Sequence, residues 1–163
     1  MSVHNGSESS IVVRRVVTDE LLQEAFAVRV EVFVHEQAVP LEEEVDDYDA
    51  HSSTVHVVAI EHSEHGETIL GTARLLPPVS QGSTFHIGRV AVRAAARGKN
   101  VGSLLVTALE DEARSLQPHG AVVELSAQEQ ALDFYRKLGY VEVDGRRYLD
   151  ADIWHRDMRK LIS

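Results

Sequence analysis

The sequence contains no cysteine among its 163 residues. This absence excludes a disulfide framework, a thiolate metal site and a cysteine nucleophile. No uninterrupted apolar run approaches the roughly 20 residues that a membrane-spanning helix needs. The first ten residues, MSVHNGSESS, are polar and contain no apolar signal region. We therefore expect a cytoplasmic protein without a membrane partner.

Positive charge is also scarce, because 16 Lys and Arg stand against 26 Asp and Glu, which gives a formal net charge of −10. Such an acidic chain is not expected to bind nucleic acid. The charge is unevenly distributed, with an acidic segment that spans residues 42–49 and a basic segment that spans residues 89–99. The acidic segment consists of Glu42, Glu43, Glu44, Asp46, Asp47 and Asp49, and the basic segment contains Arg89, Arg93, Arg97 and Lys99. The first favours a cationic ligand and the second a phosphate, although a solvated acidic loop explains residues 42–49 equally well.

Several catalytic signatures are missing. Neither the phosphate-binding pattern GxxxxGK[ST] nor the dinucleotide pattern GxGxxG occurs. The zinc pattern HExxH is absent, and we expect no metal cofactor. Ser103 and Thr107 have no histidine or acid partner that the sequence reveals, which argues against hydrolase chemistry.

The apolar patterning predicts one α/β domain over residues 11–163, preceded by a disordered segment over residues 1–10. The expected order is β-α-β-β-β-α-β-α-β-β, in a mixed, largely antiparallel sheet with helices on both faces. Strands are predicted at 11–17, 55–61, 69–76, 85–92, 121–125, 140–143 and within 148–158, with helices after Thr18, at 101–116 and from 131 to Gly139. The segment 85–125 is predicted to be one parallel βαβ unit. The acidic segment, continued to Ser53, is predicted to be a loop, and residues 62–68 and 144–146 to be turns.

The turn between the fourth strand and the second helix is the most informative segment. It reads Arg97-Gly98-Lys99-Asn100-Val101-Gly102. A turn of this kind points free backbone N–H groups at one spot, at the positive end of the helix dipole, where phosphate binds well. Glycine allows close approach of the backbone, and asparagine tolerates the left-handed conformation. The alternative is a tight βα connection with a basic rim.

The turn RGKNVG, the amphipathic helix after it and the later segment FYRKLGY resemble the GNAT superfamily of acyl-CoA N-acyltransferases. The segments VFVHEQAVPLEEEVDDYDAHS and IGRVAV, together with Ala127-Gln128, are similar to the ElaA-type branch. The resemblance implies a GNAT-like fold. It also implies that an acetyl group passes from acetyl-CoA to a primary amine by direct attack in a ternary complex.

The resemblance also implies how the cofactor is bound. The backbone of the turn would bind the pyrophosphate, and the main chain of residues 90–92 would pair with the pantetheine arm like an added strand. Arg93, Arg97 and Lys99 are candidates for the phosphates, and Asn100 replaces a glycine of the family pattern. The implied cofactor-binding set is Val90, Ala91, Val92, Arg97, Gly98, Lys99, Asn100, Val101, Gly102, Ser103 and Gln128.

Tyr135 in FYRKLGY matches the tyrosine that protonates the departing thiolate in the family, although a core aromatic explains it as well. The identity of the general base stays open, because Gly88 stands near the position at which many relatives carry a glutamate. His86 is favoured by its side-chain chemistry. Glu36, which follows Val32-Phe33 on the first predicted helix, fits an ElaA-like substrate pocket equally well. Glu124, the acidic segment and a water-mediated deprotonation are further alternatives. The catalytic candidates are thus Tyr135, His86 and Glu36.

Two other functions stay open. One is an aminosugar-phosphate N-acetyltransferase, and the other is a non-catalytic GNAT-like module that binds acyl-CoA. The acidic segment favours a cationic amine, either a small molecule or a peptide. The sequence leaves a homodimer open.

Overall fold

A computed structural model describes residues 10–79 and 82–163. The strands are β1 (Ser10–Arg15), β2 (Val55–Ser63), β3 (Gly66–Leu76), β4 (Thr84–Val92), β5 (Ala121–Gln128), β6 (Val141–Asp150) and β7 (Ile153–Ile162). The α-helices are α1 (Asp19–Arg29), α2 (Leu41–Glu44), α3 (Val101–Leu116) and α4 (Leu132–Lys137). A π-helical segment spans Val30–Glu36, and 3₁₀ turns span Asp47–Ala50, Ala94–Ala96 and Glu129–Ala131. The predicted disorder of residues 1–9 lies outside the described residues, and Ser10 already belongs to β1.

The sheet has seven strands in the order β1-β2-β3-β4-β5-β7-β6. The pair β4–β5 is parallel and the other pairs between described strands are antiparallel. Helices cover both faces of the sheet, as two successive residues of β2 show. Val57 packs in the hydrophobic core that contains Leu105 of α3, and Val58 packs in the core that contains Ala25 of α1. The mixed sheet and its parallel βαβ unit, both predicted from the sequence, are confirmed.

The first helix starts at its predicted cap and ends unusually. The Thr18 hydroxyl accepts a hydrogen bond from the Leu21 amide (3.2 Å), which satisfies one free donor of the first turn. The helix continues without a break into the π-helical segment, where the Gln37 amide donates to the Val32 carbonyl (3.2 Å). A π-helical turn holds an extra residue and often marks a functional site. It ends before Ala38, which has a positive φ of 59°.

The acidic segment is not the loop that the sequence predicts. Residues 41–44 form helix α2, and residues 47–50 form a 3₁₀ turn that begins with a reciprocal capping box between Asp46 and Asp49. The prediction fails because three of the six carboxylates, Glu44, Asp46 and Asp49, have partners in distant parts of the chain, described below.

The predicted turns are shorter than expected. Strand β2 runs to Ser63 and β3 starts at Gly66, so two residues connect them instead of the predicted 62–68. The DGR turn at 144–146 is a bulge inside β6, with a register shift between Glu142 and Arg147. The turn between β6 and β7 is Ala151-Asp152, where both residues have positive φ, as a two-residue hairpin turn matching the strand twist requires.

Within the two described ranges, no helix is long and apolar enough to cross a membrane.

Candidate active site

The parallel strands β4 and β5 separate partway along their length. They pair from Thr84 opposite Val122 to Ile87 opposite Leu125. Beyond that point β4 stays paired with β3, and β5 stays paired with β7 as far as Gln128 opposite His155. A cleft therefore opens in the middle of the sheet, with a strand edge on each side.

A bulge at Arg89 shapes the β4 side of this cleft. Arg89 has a positive φ of 53°, and the register between β3 and β4 shifts here. The extra residue reverses the alternation of side chains. Ile87 and Val90 consequently pack towards the same core beneath α3, whereas Ala91 packs against Val28 and Val32 on the other face.

Two adjoining cavities occupy the cleft, and they share Gln37 and Val90. The first, of about 250 Å³, lies between the end of the π-helical segment, α2, β4, β5, α4 and the β6–β7 turn. The second, of about 520 Å³, lies towards the basic turn. Its other lining residues are Val32, Glu36, Val92, Arg97 and Gln130. Tyr135 lines the first cavity, so the structure places Glu36 and Tyr135 in different parts of the cleft.

The basic turn has the conformation expected from its residues. Asn100 adopts the left-handed conformation (φ 65°, ψ 20°) at the N-cap of α3, and Gly98 has a φ of 86°. The first helical hydrogen bond runs from the Leu104 amide to the Asn100 carbonyl (3.2 Å). The amides of residues 101–103 consequently belong to the first helical turn, which has no intrahelical acceptor for them.

Gly102 has a role in packing that the sequence does not reveal. A Cβ atom at this position would lie 3.1 Å from Cζ of Phe134. The glycine thus allows the start of α3 to pack against the α4 segment that carries Tyr135. A bulky substitution at Gly102 would disturb both elements at once.

The basic side chains around the turn are held by carboxylates. Nη2 of Arg97 donates to Glu36 (2.6 Å), and its Nε donates to the Val92 carbonyl (3.2 Å). Nζ of Lys99 lies 3.7 Å from Glu61. Arg93 lies farther back, where its Nε donates to Glu31 (3.0 Å). Arg97 and Lys99 are more than one-third exposed, so an anion in the cleft can reach them.

Tyr135 is 8% exposed and packs edge-on against Phe134 and Tyr140. Burial raises the pKa of its hydroxyl to about 12. The hydroxyl therefore keeps its proton at neutral pH, and we find no hydrogen-bond partner for it among residues 10–79 and 82–163. Tyr135 both belongs to the core and borders the first cavity.

His86 lies outside both cavities. Its side chain is 53% exposed, and Nε2 lies 3.5 Å from Glu124 on the neighbouring strand. Glu124 in turn accepts from Arg159. Gln128, by contrast, lines the first cavity, where its Nε2 donates to Oε1 of Gln37 across the cleft (2.7 Å).

Half of the carboxylates of the acidic segment belong to a largely buried charge cluster that we call the arginine cluster, in which Asp46 and Arg89 are partly exposed. It consists of Arg29, Arg74, Arg89, Glu44, Asp46 and Asp49. Nη1 of Arg74 donates to Asp46 (2.7 Å) and to Asp49 (2.8 Å). Arg29 donates to both Glu44 and Asp49. Nε of Arg89 lies 3.3 Å from Glu44.

The arginine cluster fixes the charge of its carboxylates. Burial alone would raise the pKa of Asp49, but hydrogen bonds from Arg29, the Asp46 amide and Arg74 hold that pKa well below its usual range. The cluster joins α1, α2, β3 and β4 behind the first cavity. Glu44, Asp46 and Asp49 are thus paired with arginines. This pairing corrects the predicted loop and leaves Glu42, Glu43 and Asp47 as the carboxylates of the segment outside the cluster.

His155 was not singled out from the sequence. It comes from β7, is 8% exposed and lines the first cavity. A lone histidine in a strand carries no motif, and only the register of β7 against β5 and β6 brings it to the cleft. The same long-range pairing hides the roles of Arg29 and Arg74.

A cleft between separating parallel strands, with a helix N-terminus at one end and a buried tyrosine at the other, agrees with the resemblance to acyl-CoA N-acyltransferases, and comparison with known proteins shows the family. A family profile described as acetyltransferase (GNAT) domain matches residues 17–162, so the chain belongs to this family. It is 37% identical over 142 residues to an uncharacterized N-acetyltransferase of Bacillus subtilis (strain 168), YjcF, and this match covers 87% of the chain and 94% of YjcF.

Two solved structures show the same fold. An acyl-CoA N-acyltransferase from Pseudomonas aeruginosa superposes with a TM-score of 0.77 at 33% identity, over 94% of this chain and 99% of that one. Escherichia coli ElaA superposes with a TM-score of 0.79 at 24% identity, over 93% and 99%. The similarity to ElaA concerns the fold alone. The protein is accordingly an acyl-CoA-dependent acyltransferase.

Proposed function

We propose that the protein transfers an acetyl group from acetyl-CoA to a primary amine, by direct attack of the amine on the thioester in a ternary complex. The observation that carries this proposal is the separation of β4 and β5 beyond Ile87 and Leu125. It leaves one continuous cleft with an anion-binding turn at one end and Tyr135 at the other.

The cofactor would occupy the second cavity and the basic turn. The amides of Gly98 to Ser103 would bind the pyrophosphate at the positive end of α3. Arg97 and Lys99 would exchange their carboxylate partners for phosphate oxygens. The edge of β4 over residues 90–92 would pair with the pantetheine arm, and Gln128 would contact the arm where it enters the first cavity.

The chemistry would take place where the two cavities meet. Holding the amine and the thioester together supplies most of the acceleration, because it turns a bimolecular step into a unimolecular one. A backbone N–H near Val90 would polarise the thioester carbonyl. Tyr135, protonated because its pKa is raised to about 12, would donate its proton to the departing thiolate.

Neither His86 nor Glu36 is given the role of base in this proposal. His86 is turned to Glu124 outside the cleft. Glu36 is paired with Arg97 beside the turn, where the phosphates are expected. A protein base on the acceptor side would lie on the wall of the first cavity, and a water-mediated deprotonation remains the alternative.

A cationic acceptor fits the first cavity best. Glu43 and Asp150 contribute carboxylates to its wall. Arg89 also borders it, but Glu44 and Asp46 hold its guanidinium. Among the described residues that line the cavity, an acceptor phosphate would find no lysine or arginine that is not already paired, which argues against an aminosugar phosphate.

The test is coenzyme A release from acetyl-CoA in the presence of a panel of primary amines. The panel contains a polyamine, an amino sugar, an amino sugar phosphate and lysine-containing peptides, and propionyl-CoA serves as the competing acyl donor. We expect turnover with cationic acceptors and a preference for acetyl-CoA. Tight binding of acetyl-CoA without release of coenzyme A on any amine would contradict the proposal and favour the non-catalytic module.

A further inference from the structure

We propose that His155 is the general base that removes a proton from the ammonium group of the acceptor. This inference rests on the proposed acetyl transfer to an amine and names the residue that the mechanism lacks. His155 lies on β7 directly opposite Gln128, at the point where β5 leaves the sheet and borders the first cavity. His155 thus lies on the acceptor side of the cleft, whereas His86 lies outside both cavities and Glu36 lines the second one.

The hydrogen bond of the ring defines its chemistry. Nδ1 lies 2.7 Å from the Ile153 carbonyl oxygen. A carbonyl can only accept, so Nδ1 carries the proton of the neutral ring and Nε2 keeps its lone pair. Nε2 has no hydrogen-bond partner within the described parts of the chain. A neutral imidazole with one nitrogen fixed as a donor and the other free is the form that a base requires.

The ring is held in place by its neighbours. It stacks on Tyr148 of β6, with ring centroids 5.9 Å apart and planes 20° apart. The Tyr148 hydroxyl donates to Asp157 (2.6 Å) and also contacts Ser126, which itself lines the first cavity. Burial and the bond to Asp157 raise the pKa of Tyr148 to about 12, so the stacking partner is neutral at pH 7. The position of the imidazole is thus set by β5, β6 and β7 together.

The charged groups around the cavity suit a proton transfer from a cation. The titratable groups that line it besides His155 are Glu43 and Glu44 of α2, Arg89 of β4, Tyr135 of α4 and Asp150 of β6. Tyr148 of β6 does not line the cavity but stacks on the imidazole. Glu44 and Arg89 pair with each other. Glu43 and Asp150 are left to attract an ammonium ion.

The proton balance is simple. The ammonium gives one proton to Nε2 of His155, and the free amine attacks the thioester carbonyl carbon. The carbon–sulfur bond breaks, the thiolate takes the proton of Tyr135, and the attacking nitrogen, which still carries an extra proton, returns one to the tyrosine oxygen. His155 releases its proton to solvent. An alkylamine has a pKa near that of lysine, so only about one molecule in 10³ is neutral at pH 7 without a base.

Two small nucleophiles of similar size show whether His155 acts as a general base or only supports the structure. Methylamine is a protonated ammonium at neutral pH, whereas hydroxylamine is largely unprotonated and needs no base before it attacks. The variant His155→Asn keeps an amide donor near the position of Nδ1 and removes the lone pair of Nε2. We expect it to lower kcat/KM for methylamine about 10²-fold and to change kcat/KM for hydroxylamine little.

The pH profile is the second readout. For methylamine the loss caused by His155→Asn should shrink as the pH rises towards the pKa of the amine, because free amine then forms without help. His155→Gln is the second variant, in case the first does not fold, and His119→Asn is the matched control at an exposed turn. Thermal unfolding and acetyl-CoA calorimetry establish that each variant folds and binds the cofactor.

Equal losses with both nucleophiles would overturn the assignment and make His155 a packing residue. Transfer by the wild type to hydroxylamine but never to methylamine would also overturn it, because no working base would then be present. If neither nucleophile is accepted, the variants are compared with a cationic amine of the panel, at neutral pH and near the pKa of that amine, and an equal loss at both pH values would overturn the assignment. Absence of coenzyme A release with every amine, while acetyl-CoA still binds, would overturn the proposed acetyl transfer itself.

Discussion

Arg29 binds both carboxylate oxygens of Asp49, with Nη1–Oδ1 at 2.7 Å and Nη2–Oδ2 at 3.0 Å. Both side chains are nearly inaccessible to solvent. The pair joins the end of α1 to the 3₁₀ turn after α2. The π-helical segment that follows α1 and the helix α2 that precedes the turn both line the first cavity, so the pair holds the two lining segments together from behind. Its bidentate geometry is the strongest form of an arginine–carboxylate contact.

Breaking this pair should cost considerable stability. Asp49→Asn leaves Arg29 and Arg74 buried without their shared carboxylate, and we expect the free energy of unfolding to fall by about 3–5 kcal/mol. Urea denaturation measures the change. Asp47→Asn, at an exposed position of the same turn, is the control and should change the free energy of unfolding little. Similar values for both variants would show that the buried pair does not stabilise the fold.

Asp49 should also make the free energy of unfolding depend on pH. Arginine contacts lower the pKa of Asp49 and of Asp46 in the folded protein, whereas in the unfolded chain both pKa values are near 3.9. The stabilisation is therefore complete above about pH 5, begins to be lost as the pH falls towards the unfolded pKa, and is gone below the lowered folded values. The free energy of unfolding, measured from pH 5 to pH 3, should fall more steeply in the wild type than in Asp49→Asn. Parallel slopes would argue against this role.

A negative charge at the start of α3 should weaken cofactor binding without lowering the stability of the fold. Ser103→Glu places a carboxylate in the first helical turn, where it stabilises the helix by about 0.3–1 kcal/mol, but it would repel the pyrophosphate. We expect acetyl-CoA affinity to fall at least tenfold in calorimetry while the midpoint of thermal unfolding does not drop. Thr107→Glu, one turn later and exposed, should bind acetyl-CoA normally. Unchanged affinity in Ser103→Glu would remove the turn from the site.

Removing the Tyr135 hydroxyl should slow the chemical step without affecting the fold. Tyr135→Phe is expected to lower kcat on the order of 10², with acetyl-CoA affinity and stability nearly unchanged. Because the pKa is raised to about 12, the ratio of wild-type to variant kcat should stay constant from pH 7 to pH 9.

The neighbouring tyrosine provides a control with the opposite signature. The Tyr140 hydroxyl donates to the buried Glu110 (2.7 Å), and Tyr140 does not line the first cavity. Tyr140→Phe should lower stability by about 1–3 kcal/mol and leave kcat unchanged. If Tyr135→Phe retains the wild-type kcat with chemistry rate-limiting, Tyr135 is a packing residue as well.

Capture of a cationic amine should depend on Glu43 alone among the three consecutive glutamates. Glu44 is paired with Arg29, and Glu42 does not line the cavity. Glu43→Gln should raise the KM of a cationic acceptor severalfold, and salt should weaken capture in the wild type but less in the variant. Glu42→Gln is the matched control. A KM that responds equally to both changes would indicate only a general surface effect.

Local signals explain which parts of the fold the sequence predicts. The apolar stripe of α3 and the glycine and asparagine of the turn before it act within a few residues, and both appear where expected. The left-handed Asn100 is an example, because its preference is a property of its own side chain. The βαβ unit follows from the same local pattern together with the handedness rule.

Long-range pairing explains the rest. Residues 41–50 look like a solvated loop because their partners Arg29, Arg74 and Arg89 come from other elements. The bulge at Arg89 and the register of β6 against β7 depend on strand pairing that no local pattern encodes. His155 reaches the cleft only through that register, and His86 misses it because its position in β4 lies before the strands separate.

The two walls of the cleft differ in how the chain builds them. Residues 88–103 form one continuous stretch that supplies the strand edge, the bulge and the turn. The opposite wall is assembled from residues 33–44, 126–135 and 150–155, three stretches far apart in sequence. A substitution or an insertion in the β6–β7 turn alters that second wall and leaves the first stretch untouched. Short segments can thus be exchanged on the acceptor side while the strand edge and the basic turn, which belong to one continuous stretch, stay unchanged.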